Sequence, residues 1–161
     1  MADSSEIHEI EKKIFSTFSE LAKSMGFSPI HGSIIGALVV GGGTLSLQNI
    51  AKKTGYSVSM VSLSMDLLEV LDTVKRVKKP RDRKLYIELK EDLLDSLKKI
   101  LIMRVKKGVS GMLTEFESSR GKLEKLNGEN KKDVLNAILT LENEIKRLDK
   151  YVSLLSDIKL P

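Results

Sequence analysis

Two short helical patterns separated by a three-residue joint, with a change of period just beyond them, restrict the fold of this chain more than anything else in it. Residues 47–54 (LQNIAKKT) form the first pattern, with Ser46 placed to cap it and Gly55 to stop it. Ser57 caps the second, which runs to about Val70 and sets Val61, Met65 and Leu68 at i, i+4 and i+7. So short a joint, Gly55-Tyr56-Ser57, is the signature of a helix-turn-helix. After Leu71 the hydrophobic period falls from 3.6 to 2. Residues 73–77 and 84–89 have strand composition, and Pro80-Arg81-Asp82 suits the turn between them. A helix-turn-helix followed by such a hairpin is expected to fold as a winged helix.

The hairpin also holds the charge. Residues 75–84 (KRVKKPRDRK) contain seven basic residues and one acidic, a net +6, whereas all 161 residues together carry +5. The remainder of the chain is therefore close to neutral, and the concentrated excess points to a polyanionic partner. On the second helix the side away from Val61, Met65 and Leu68 carries Ser57, Ser59, Met60, Ser62 and Ser64, hydroxyls with almost no charge, which is unusual for a merely solvated face.

Upstream, Ile7, Ile10, Ile14, Phe18, Leu21 and Met25 recur at steps of three and four, widened by Phe15 and Ala22, with Ser4 or Ser5 as cap and Gly26 as stop. Ser28-Pro29 opens another helix, lined by Ile30, Ile34 and Leu38 and broken at Gly41-Gly42-Gly43. Thr44 and Leu45 form a short extended link. Downstream, Val105, Val109, Met112, Phe116, Ser119, Leu123 and Leu126 step alternately by four and three. Val134, Ile138, Leu141, Ile145, Leu148, Val152 and Leu155 step the same way, with Asn127-Gly128 between the runs. The pattern predicts an antiparallel coiled-coil hairpin. Two helices alone bury too little, and the uncovered faces point to dimerisation, with Phe116, Leu123, Leu141 and Ile145 along the seam, or else to packing onto the first helix of the same chain. Gly108, Gly111 and Gly121 mark either close backbone approach or weak points of the first long helix.

The fold class expected is thus mainly α, an α+β winged helix-turn-helix over residues 1–90 and a dimerising helical hairpin over residues 91–161. Other chemistry is scarce. The chain has no cysteine, which excludes thiolate zinc sites, and its two histidines, His8 and His31, are too few for most histidine-based sites. The triple glycine lacks the Lys-Ser/Thr pair of a phosphate-binding loop, and acidic pairs such as Glu91-Asp92 read as helix N-terminal charges. No catalytic residue, metal or cofactor is expected, and the chain is read as a cytoplasmic non-enzyme with no membrane partner.

The segments FSELAKSMGFSPIHGSIIGAL, LSLQNIAKKTGYSVSMVSLSMDLLEVLDTVKRV and KPRDRKLYIEL resemble the MarR-type winged-helix transcriptional regulators, and specifically their GbsR branch. Pro80, Asp82, Arg83 and Lys84 match the family's wing, while Arg81 stands where a glycine is usual. The resemblance implies a homodimer that binds double-stranded DNA in a sequence-specific way. Its recognition helix, about residues 57–70, is expected in the major groove with Ser57, Ser59, Met60, Ser62 and Leu63 facing the bases. Lys75, Lys78, Lys79, Arg81, Arg83 and Lys84 are the expected wing contacts to backbone and minor groove. Gln48, Lys52 and Lys53 are weaker backbone contacts. Whether the protein takes a small-molecule effector stays open; any such effector is expected to bind where the hairpin meets the winged domain. Two other readings stay open: a winged-helix module that binds protein, and a non-specific DNA-binding protein.

Overall fold

In the computed structural model, which describes residues 2–90 and 92–161, nine elements follow in order: α1 (Ala2–Ser24), α2 (Pro29–Val40), β1 (Thr44–Ser46), α3 (Leu47–Thr54), α4 (Val58–Val70), β2 (Val74–Lys78), β3 (Leu85–Leu89), α5 (Leu93–Glu124) and α6 (Lys131–Asp157). The mostly helical chain carries a three-stranded antiparallel sheet ordered β1-β3-β2, the architecture of a winged helix. It divides into two compact units, Met1–Ser96 and Leu97–Pro161. Glu91 lies outside the described residues. Asp92, its neighbour, does act at a helix start, its Oδ1 accepting the Asp95 N–H at 2.9 Å.

The core of the first unit is built around α2, which is apolar on nearly all sides. Eight of its residues are buried, from Ile30 to Leu38, so it is a central helix and not the one-faced helix its Ile30, Ile34, Leu38 spacing suggested. Ile34, Leu38, Ile50, Val61, Met65 and Ile87 are fully enclosed around it, each such side chain contributing about 1.5–3 kcal/mol. α1 comes unusually near because α2 has glycines one turn apart. A Cβ on Gly32 would lie 2.0 Å from the Phe18 carbonyl oxygen, and one on Gly36 would lie 3.2 Å from the Phe15 backbone. Ser19 and Ser33 hydroxyls, 2.7 Å apart, close the same contact.

α1 departs from its expected stripe at the beginning. Phe15 and Ala22 are buried, but Ile7 and Ile10 are 60% and 57% exposed. Twelve residues of α2 extend only about 18 Å, and the pairing of Gly36 with Phe15 and Gly32 with Phe18 uses them on the later half of α1. The helix also starts at Ala2, so Ser4 and Ser5 sit within its first turns and do not cap it.

Local signals elsewhere hold residue by residue. Ser46 Oγ accepts the Asn49 N–H and Ser57 Oγ the Met60 N–H, each at 3.2 Å, while Gly55 ends α3 in the left-handed region at φ 78°. Thr44 and Leu45, expected as a link, belong to the sheet: Thr44, Leu45 and Ser46 pair with Glu88, Ile87 and Tyr86. Three residues are enough to read as extended but not to reveal which strand they pair with.

In the second unit α5 and α6 run antiparallel, since Lys106 Nζ reaches Ser153 Oγ at 2.8 Å and Arg120 reaches Glu142 at 3.2 Å. Lys98 Nζ also donates to the Ile158 carbonyl. Its buried apolar residues are few: Ile100, Val109, Ile138 and Val152. Of the seam, Phe116, Leu123 and Ile145 are half-buried and Leu141 is exposed. No atom lies within 4 Å of a Cβ built on Gly108, Gly111 or Gly121, so within the chain they are weak points and not close approaches.

Candidate nucleic-acid interface

α4 is held by Val61, Met65 and Leu68, all buried, so the opposite side of the helix is fixed outward. At 100° per residue the line opposite that core passes through Ser59, Leu63 and Val70, with Ser62 on one shoulder and Met60 and Leu67 on the other. Ser57, Ser59, Met60 and Leu63 are exposed and Ser62 is half-exposed. Ser64 is different: it is buried, and its Oγ donates to the Met60 carbonyl at 2.9 Å. Its place one turn after Met60 lets it bond back into the helix, so it leaves the outward hydroxyl face expected for it. Val58 and Val70, exposed at the two ends of α4, were not singled out from the sequence, because hydropathy alone assigns valine to the core.

The wing is the β2–β3 hairpin, with Val74, Lys75, Arg76, Val77 and Lys78 opposite Leu89, Glu88, Ile87, Tyr86 and Leu85. Asp82 N–H donates to the Lys79 carbonyl at 3.2 Å, closing a turn whose central residues are Pro80 and Arg81. Proline fixes a negative φ and Arg81 has φ 62°, which together define a type II turn. The third position of that turn favours glycine, so Arg81 takes a glycine's conformation and adds a charge to it. Asp82 ties the tip together: Oδ1 accepts the Lys84 N–H at 2.9 Å and Oδ2 the Tyr86 hydroxyl at 2.8 Å. These bonds, the Lys84 N–H first, hold its carboxyl below the usual range, and the bond to Asp82 raises the Tyr86 hydroxyl above its own. Lys79 Nζ sits 4.0 Å from the centre of the Tyr86 ring.

The cations of the basic window divide into two sets. Arg76 turns back to α4, donating to Asp66 Oδ1 at 2.8 Å, to Glu69 Oε2 at 2.5 Å and to the Ser62 carbonyl at 3.5 Å. It neutralises both carboxylates beside the exposed face of α4, a role the sequence concealed because the partners lie seven and ten positions away. Lys75 pairs with Glu88 at 2.7 Å. Lys78, Arg81, Arg83 and Lys84 are exposed, and no ion pair engages them among the described residues. On α3, Gln48 and Lys52 are exposed, whereas Lys53 is half-buried and reaches back to Glu11 of α1 at 3.4 Å.

His31, one turn into α2, meets the Ser28 carbonyl through Nδ1 at 3.2 Å and the Phe27 ring edge-on. Burial lowers its pKa, with the Ser28 bond opposing in part. Among the described residues no group of three or more His, Cys, Asp or Glu could hold a metal ion, and no helix is long and apolar enough to cross a membrane.

No protein-family model matches the chain, and no curated protein matches it. Solved structures do. The crystal structure of a transcriptional regulator superposes with a TM-score of 0.62 at 13% identity, covering 89% of this chain and 92% of that one. AbsC, a MarR family transcriptional regulator from Streptomyces coelicolor, gives a TM-score of 0.43 at 17% identity over 90% of this chain and 93% of its own. MepR, a transcription regulator of the Staphylococcus aureus multidrug efflux pump MepA, gives 0.42 at 17% over 88% and 96%. At these identities what the first of them shares with this chain is its fold, the winged helix.

Proposed function

We propose that the chain is a double-stranded DNA-binding transcriptional regulator of the MarR type, in the GbsR branch, acting as a homodimer, with α4 in the major groove and the wing on the backbone and minor groove. The observation that carries this reading is the wing. Four exposed cations, Lys78, Arg81, Arg83 and Lys84, project from one hairpin, while the acidic residues of α4, Asp66 and Glu69, are neutralised by Arg76. A surface that merely solvated itself would gain nothing from four cations outside any ion pair among the described residues, on the wing beside an α4 whose carboxylates are both neutralised. Arg83 is the first choice for minor-groove insertion, and Gln48 and Lys52 are supporting backbone contacts. The transcriptional role comes from the fold's likeness to a transcriptional regulator.

Mobility shift with salt titration tests the reading. Each neutralised phosphate contributes about −0.9 to the log–log slope, so four cations on each of two wings supply up to about −7 of it. Replacing Lys78 and Arg83 together is expected to flatten the slope on every sequence alike; a slope near zero for the unaltered protein refutes the reading. One observation favours a second reading, a protein-binding winged helix: Leu63 and Val70 on α4 are 74% and 78% exposed. That protein would show no salt-dependent DNA binding.

A further inference from the structure

The exposed face of α4 lacks the groups that usually read bases. Bidentate bonds to guanine and adenine come from arginine, lysine, asparagine and glutamine, and Val58–Val70 contains none of them. Its one exposed carboxylate beside the hydroxyls, Asp66, is turned to Arg76 at 2.8 Å, and Arg76 is held in turn by Glu69. What remains outward is two hydroxyls, Ser59 and Ser62, and an apolar surface. Leu63 is 74% exposed and Met60 49%, on the half of the helix that follows its N-terminus. The four exposed wing cations of the same unit suit a polyanion, which makes DNA the occupant of this apolar face and not an apolar protein groove.

In the major groove a base pair offers one apolar feature, the 5-methyl group of thymine. We propose that α4 reads its site chiefly by burying base 5-methyl groups against Leu63 and Met60, so that each half-site is defined by thymine methyls and less by hydrogen bonds. The proposal rests on the DNA-binding reading above and specifies its chemistry. Because 5-methylcytosine carries its methyl at the same edge of the groove, methylating a cytosine at such a position raises affinity.

Two selections from random duplex libraries test this, one made with thymine and one with deoxyuridine throughout. The full-length protein is expected to enrich a thymine-bearing motif from the first and to bind the second more weakly, without enriching that motif's uracil counterpart to the same degree. On the selected duplex, thymine-to-uracil replacement at the contacted position is expected to weaken binding about fourfold per methyl, hence about fifteenfold for one in each of two half-sites. Placing 5-methylcytosine·guanine there restores affinity relative to unmethylated cytosine·guanine. Leu63→Ala, at an exposed position that leaves the core intact, is expected to reduce the thymine-to-uracil ratio towards one with the salt slope unchanged. Equal affinity for thymine and uracil sites overturns the proposal, as does a ratio that neither Leu63→Ala nor Met60→Ala alters. Failure to bind either library at low salt overturns the DNA reading itself, and the methyl proposal with it.

Discussion

Arg81 holds its conformation against its own backbone preference. At φ 62° it occupies the position where a type II turn favours glycine. A non-glycine residue there costs about 1 kcal/mol or slightly more. Arg81→Gly is therefore expected to raise stability by about 1 kcal/mol in thermal unfolding while weakening DNA binding, with a salt slope less negative by about 1 for each wing cation removed from a phosphate. His31 has the opposite relation to its surroundings. Burial lowers its pKa below the ordinary 6.5, so the unfolded chain binds a proton more readily than the folded one. The stabilisation is complete above pH 6.5 and is lost as the pH falls through 6.5 to the folded value. Unfolding midpoints between pH 7.5 and 5 are expected to decline less steeply for His31→Gln. At this scale the sequence was legible where one side chain completes one local bond, as at Ser46, Ser57 and Gly55. It was misleading at Ser64 and incomplete at Arg76, because helix register and distant partners decide where those side chains go.

Among the elements, the α1–α2 contact depends most on what is missing from a side chain. Gly32 and Gly36 permit two helices to meet backbone to backbone, and no hydrophobic periodicity reveals it, since glycine adds nothing to an apolar stripe. Gly32→Ala puts a methyl 2.0 Å from the Phe18 carbonyl oxygen, where no flexible side chain can yield. The expected loss is about 3 kcal/mol, read as a fall in the denaturation midpoint, whereas Gly111→Ala, facing open space, is expected to gain about 1 kcal/mol. The same reasoning explains which elements could be anticipated. α3, α4, β2 and β3 lie within two residues of their expected bounds because caps, turns and period changes are local. β1 was legible only as a short extended stretch after the triple glycine, because its place in the sheet comes from pairing with Glu88, Ile87 and Tyr86. The early turns of α1 looked like core because the sequence does not reveal which part of α1 the short α2 packs against.

In the molecule as a whole, the two units differ most in how much apolar surface each encloses by itself. The first encloses a dozen mutually packed apolar residues; the second buries Ile100, Val109, Ile138 and Val152 but leaves Leu141, Leu148, Tyr151 and Leu154 exposed on α6. The heptad spacing of α6 was plain in the sequence, but which of its positions the chain itself would cover was not, because a heptad does not distinguish a partner helix in the same chain from one in another. Under the homodimer reading Leu141 is a clean probe, being 47% exposed. Leu141→Lys is expected to yield a monomer at micromolar concentration by light scattering, with residues 1–96 still folded and affinity for an inverted repeat abolished. The thin interior of α5 and α6 has a thermodynamic consequence as well. A segment that completes its core only on association draws its stability from mass action, gaining RT ln of the partner concentration over the dissociation constant. Calorimetry at protein concentrations a hundredfold apart is then expected to resolve two transitions, one fixed in temperature for residues 1–96 and one that climbs with concentration for residues 97–161. The cell's copy number would set how firmly the long helices are folded, and the amount of protein would itself be a control on the shape presented to DNA.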